Sequence, residues 1–98
     1  MAVDSIEKTS SGSAYGGPCF LHDVLVGGSD GSNDITVSVY DNASAASGTK
    51  LLPTFTVDAS ALGLNGLTLT VAKRVYNGVY VEITTSGTAS VICGIGQP

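Results

Sequence analysis

Apolar and polar residues alternate with period two in four segments of the chain. In residues 34–41, Ile35, Val37 and Val39 point one way, and Thr36, Ser38 and Tyr40 the other. Residues 66–73 repeat the pattern, with Leu67, Leu69 and Val71 against Thr68, Thr70 and Ala72. In residues 79–85, Val79, Val81 and Ile83 oppose Tyr80, Glu82 and Thr84, and near the end Ala89, Val91, Cys93 and Ile95 share a face. Period-two alternation rich in Val, Ile and Thr predicts half-buried β-strands. Residues 19–26 are nearly continuously apolar, broken only by His22-Asp23. Residues 51–57 contain Pro53, which suits a strand start or an edge, and residues 6–10 form a short first candidate.

Turn chemistry separates these runs. Gly16-Gly17-Pro18 precedes the second strand, and a Gly/Ser/Asp/Asn cluster over residues 27–33 follows it. Asn77-Gly78 lies between two apolar pairs and reads as a hairpin turn or, because Lys73-Arg74 precede it, as a bend. Ser86-Gly87 turns into the last strand. The only helical candidate is one turn over residues 58–64, after an Asp58 cap. Together these signals predict an all-β fold. It is a single compact β-sandwich or small barrel of about seven antiparallel strands, with a Ser/Gly-rich N-terminal arm. Residues 1–17 form the arm or an edge strand, and residues 18–98 the sandwich or barrel domain.

Composition narrows the function. Only 12% of the 98 residues are charged, against roughly 25% in a typical soluble domain. Gly, Ser and Thr supply 35 residues, so small polar groups stand in for the charge. The net charge is −4, and Lys73-Arg74 are the only adjacent cations. That is no basic patch, so neither nucleic acid nor an anionic membrane is an expected partner. The N-terminus lacks the basic and apolar regions of a secretory signal, so the chain reads as made in a cytosol. There Cys19 and Cys93 are expected as buried free thiols, a bridge being possible if their strands are neighbours.

Candidate chemistry is sparse. His22 is the only histidine, and it lies three positions after Cys19, which in a regular strand places the two on opposite faces. One His and two distant Cys cannot supply a zinc tetrad by themselves. Residues 30–34 place oxygen ligands at alternate positions, as calcium loops do, but Ile35 and Asp41 stand where such a loop needs Gly and Glu. No cofactor, metal or enzymatic activity is expected. Tyr40 and Tyr80 fall opposite the aliphatic stripes of their strands, where tyrosines can anchor an interface.

Residues 34–58, a strand ending in Tyr40-Asp41, a small-residue loop from Asn42 to Gly48 and a Pro-containing strand, resemble a pattern in small virion proteins of tailed bacteriophages. Residues 75–84 with their Asn77-Gly78, the closing strand from Thr88 and the opening Lys8-Thr9-Ser10-Ser11-Gly12 are similar to the same group. Some of its members resemble capsid decoration (cement) proteins. The resemblance implies a non-enzymatic protein on the capsid surface, made in the host cytoplasm, with the major capsid protein and itself, as a homotrimer, for partners. Tyr15, Tyr40, Tyr80 and Lys8 are the expected interface residues, Lys8 and Tyr15 lying in the arm. The alternatives are a head–tail junction or tail/fibre component and, in another class, a small carbohydrate-binding module.

Overall fold

A computed structural model describes residues 3–58 and 67–96. The one-turn helix expected over residues 58–64 lies almost wholly outside the described residues. The described residues form eight strands: β1 (Val3–Lys8), β2 (Gly12–Tyr15), β3 (Cys19–Gly27), β4 (Ile35–Asp41), β5 (Lys50–Val57), β6 (Leu67–Val75), β7 (Val79–Thr84) and β8 (Ser90–Gly96). The alternating positions decide which side faces in. Ile35, Val37 and Val39 of β4, Val79 and Val81 of β7, and Val91 and Cys93 of β8 are wholly buried.

The pairing follows one rule. β4 pairs with β5, β3 with β6, β2 with β7 and β1 with β8, all antiparallel. The chain is therefore one long hairpin with the β4–β5 connection at its tip. Two further pairings, β3 with β8 and β4 with β7, roll that hairpin into two four-stranded sheets ordered β1-β8-β3-β6 and β2-β7-β4-β5. This is the strand order of a jelly roll, two antiparallel sheets packed as a sandwich. The Ser/Gly-rich opening lies along it: β1 is an outer strand of one sheet and β2 of the other. Ile6, Ala14 and Tyr15 from this stretch pack on the core.

The nearly continuous apolar run of β3, broken at His22-Asp23, has a structural reason. Leu21 pairs with Ile95 and Asp23 with Gly94, so His22 is an extra residue on β3. This β-bulge changes the phase of the strand. Cys19 and Leu21 face in before it, Val24 and Val26 after it, and all four are fully buried. β6 is irregular at the same place, where Ala72 adopts a left-handed backbone with φ of 52°. The inward face expected of β6 is also less covered than its alternation suggests. Leu67 is exposed and Leu69 and Val71 are half-buried, because β6 is an edge strand.

Asn77-Gly78 does not close a hairpin, since β6 and β7 belong to different sheets. The turn is a corner that carries the chain across the sandwich. Asp41, at the end of β4, holds it. Its carboxylate accepts hydrogen bonds from the backbone N–H groups of Asn77 (2.7 Å), Tyr76 (3.1 Å) and Gly78 (3.4 Å). The Asn42 N–H donates to the Gly78 carbonyl at 3.1 Å. Asn42 also organises its own loop, its Oδ1 accepting from the N–H groups of Ser44 and Ala45 and its Nδ2 donating to Ser47. Gly78 has φ of 153°, and a Cβ there would lie 2.6 Å from the Tyr15 carbonyl oxygen and 2.8 Å from Ala43 Cα. Both obstacles are backbone, so neither can yield cheaply. Gly78→Ala is expected to destabilise the fold by about 3 kcal/mol in urea unfolding. Asp41→Ala removes charge-assisted bonds to three N–H groups and is expected to cost about 2 kcal/mol.

Candidate functional site

The pairing of β2, β7, β4 and β5 arranges the outward side chains of that sheet in rows. One row runs Ser13, Tyr80, Tyr40, Lys50, each opposite the next on a neighbouring strand. The Tyr40 and Tyr80 side chains are thus direct cross-strand neighbours, each half-buried. The Lys50 ammonium stands 5.9 Å from the centre of the Tyr40 ring, within cation–π range. Its Nζ also donates to Thr54 Oγ1 at 2.8 Å, which in turn shares a hydrogen bond of 2.7 Å with Ser38 Oγ. Glu82 lies opposite Ser38. Further along, Thr36 faces Thr84 on one side and bonds Thr56 Oγ1 at 2.9 Å on the other. The face is a sheet of hydroxyls around two phenol rings, with one ammonium and one carboxylate. Rigid side chains of this kind offer contact area at low cost in conformational entropy.

Of the four residues expected at an interface, the structure brings Tyr40 and Tyr80 together. Tyr15 does not join them. A shift in register between Ser13 and Tyr15 turns it toward the core, against which it packs. Lys8 ends β1 in the other sheet, and its ammonium lies over Gly12. Lys50, Ser38 and Thr54 were not singled out by sequence reasoning. The alternation put Ser38 on the right side, but the Tyr40–Lys50 pairing depends on two irregularities in the β4–β5 register that no local pattern announces.

A second feature lies where the sandwich opens between β5 and β6. Leu51, Leu52, Phe55, Leu69, Val71 and Lys73 are among the residues lining a groove of about 380 Å³ there. It is apolar, with the Lys73 side chain at its wall.

The loop that resembled part of a calcium site is an Asx turn. The Asp30 carboxylate accepts from the N–H groups of Ser32 and Asn33 and from Asn33 Nδ2, at 2.9–3.0 Å. The Ser32 N–H, then the Asn33 side-chain amide, hold its carboxyl below the ordinary range. Among the described residues, no three His, Cys, Asp or Glu side chains cluster as a metal site would require. His22 sits at the β3 bulge with its ring edge-on to Phe20, the centroids 4.6 Å apart, and its Nε2 is shielded from solvent without a hydrogen-bond partner.

Cys19 and Cys93 are buried free thiols. Their strands are neighbours, but Cys93 stands opposite Val24, five residues along β3 from Cys19. At the rise of a strand that separation is on the order of 15 Å, beyond the reach of a disulfide. Burial, then the negative charge of Asp23, pushes the Cys93 thiol up to about 12, and burial followed by Asp41 raises Cys19. Neither thiol is poised as a nucleophile, which must be a thiolate. Both are therefore expected to resist a thiol-specific reagent at pH 8 in the native protein and to react fully in denaturant. The Cys93 shift also sets a pH dependence. The unfolded thiol loses its proton near 9.0 and the folded one near 12. Stability then falls across that window by up to about 1.4 kcal/mol per pH unit. Cys93→Val is expected to remove that part of the alkaline slope in parallel melts.

Comparison with known protein families, with curated proteins and with solved structures found no match.

Proposed function

We propose that this chain is a structural virion protein of a tailed bacteriophage, which decorates the capsid and stabilises it by bridging neighbouring capsid subunits. The observation that carries the reading is the outer face of the β2-β7-β4-β5 sheet. Tyr40, Tyr80 and Lys50 sit side by side on a hydroxyl-rich surface with little charge. Protein interfaces are enriched in tyrosine and depleted of charge at their centres. The jelly-roll strand order adds support by analogy alone, since it recurs in viral capsid domains and also in lectins and cupins. In this role the partners are the major capsid protein and further copies of the chain, as a homotrimer on the capsid surface.

The physics of such a role is mass action. A protein that binds only the assembled shell stabilises that shell over its separated subunits. Linked copies add avidity, because once one has docked the others bind at high effective concentration. A head–tail junction or tail location would use the same face but at a much lower copy number in the virion.

The Tyr40–Tyr80 pair beside Glu82, Ser38 and Thr54 also favours one second reading, a carbohydrate-binding module. Aromatic faces flanked by hydroxyl and carboxylate groups are the chemistry that sugars require. Co-sedimentation with DNA-free heads of the encoding phage separates the readings. Binding is expected, with Tyr40→Ala and Tyr80→Ala each weakening it by about 30-fold, or 2 kcal/mol. Each variant is expected to lose only about 1 kcal/mol of fold stability, the scale of a cross-strand pair. No sedimentation with heads, together with glycan capture lost in Tyr80→Ala, would establish the second reading instead.

A further inference from the structure

The two sheets treat their edges differently. In the β2-β7-β4-β5 sheet both edges are blunted. β2 is four residues long with a break in register, and β5 carries Pro53 and two irregularities. Short, bulged and proline-bearing edges prevent a further strand from pairing. The β1-β8-β3-β6 sheet lacks these guards on β1, which pairs with β8 over six consecutive residues without a shift and has no strand paired to its other side among the described residues. β6, nine residues long, is the opposite edge and is mostly exposed.

Charge is divided between those same two edges. β1 carries Asp4 and Glu7, both exposed, and its one cation, Lys8, turns its ammonium over Gly12. β6 carries Lys73 and Arg74, both exposed, and no acid. The registers align these groups. Asp4 pairs with Ile95, Ile95 with Leu21, and Leu21 with Lys73, so Asp4 and Lys73 are the two ends of a single row across the sheet. Val3, Gly96, Phe20 and Arg74 form the adjacent row. β1 and β6 also run in opposite directions, because three antiparallel pairings separate them.

We infer that the chain assembles head to tail, with β1 of one copy adding antiparallel to β6 of the next and Asp4 seated against Lys73. A second copy placed with Asp4 opposite Lys73 and Val3 opposite Arg74 continues both rows as far as the irregularity at Ala72. The incoming strand covers the apolar groove at the β5–β6 opening, whose wall includes Lys73. The contact also covers Val3, exposed by 47%. The alternatives are disfavoured by the same charges. Pairing two β6 edges offers Lys73 and Arg74 no acid, and pairing two β1 edges sets Asp4 and Glu7 against acids. A contact between different edges is heterologous, so it closes into a ring or runs on as a filament. The inference deepens the self-association within the proposed role and names its surface.

Light scattering and sedimentation velocity on the purified full chain test it. The wild type is expected to form a closed oligomer that dissociates as salt rises. Asp4→Lys and Lys73→Asp are each expected to weaken assembly by about tenfold or more. The chain carrying both reversals is expected to recover it. Both positions are exposed, so thermal melts should show all three variants folded. A wild type that stays monomeric at low salt would overturn the inference, as would reversals that leave the oligomer intact or a double reversal without recovery. Capsid co-sedimentation is read separately. Rings without capsid binding overturn the proposed role alone, and capsid binding by a monomer overturns the head-to-tail contact alone.

Discussion

Every connection in this chain except β4–β5 carries the backbone from one sheet to the other. That constraint governs the rest of the structure. The inner faces of the two sheets bury each other only if the chain turns a corner after nearly every strand, and each corner must satisfy backbone groups that a ladder no longer serves. The Tyr76–Gly78 corner shows how this is met. One carboxylate, Asp41, takes three N–H groups from a chain arriving from the opposite sheet, and Gly78 permits an approach to Tyr15 and Ala43 that any side chain would block. The surplus of Gly and Ser is the sequence cost of so many crossings.

The same architecture sorts the surface. Rolling one long hairpin places its first and last halves side by side, so residues distant in sequence share a row. Tyr40 meets Tyr80, and Asp4 aligns through two strands with Lys73. One sheet thereby presents a broad face of hydroxyls and phenols, and the other two open edges of unlike charge. A low overall charge need not mean a featureless surface. Some of its few ionic groups hold turns, as Asp41 and Asp30 do, and others stand on the outer strands of one sheet, as Asp4 and Lys73 do.

Much of the strand inventory was legible because strand burial is a local alternation. Ile35 to Val39, Val79 to Ile83 and Val91 to Ile95 show it plainly, and their inward residues are the ones found buried, Ile83 only partly. β2 escaped notice because four residues with one buried alanine carry too little pattern. The β3 run looked continuous because a bulge at His22 joins two half-strands of opposite phase. Asn77-Gly78 has hairpin chemistry, yet β6 and β7 find their partners elsewhere. Of the candidate interface, the outward facing of Tyr40 and Tyr80 was visible, while their contact and the part of Lys50 were not.

The sequence alone therefore determined the all-β class, the inward residues of most strands and the shortage of charge. These follow from side-chain geometry within a strand, which repeats every two residues whatever the strand pairs with. Only the tertiary structure decided which strands pair, in what register, and which edges stay open. Those depend on contacts such as Ser11 with Ile83, 72 residues apart, whose free energy is gained only when the whole sandwich has closed.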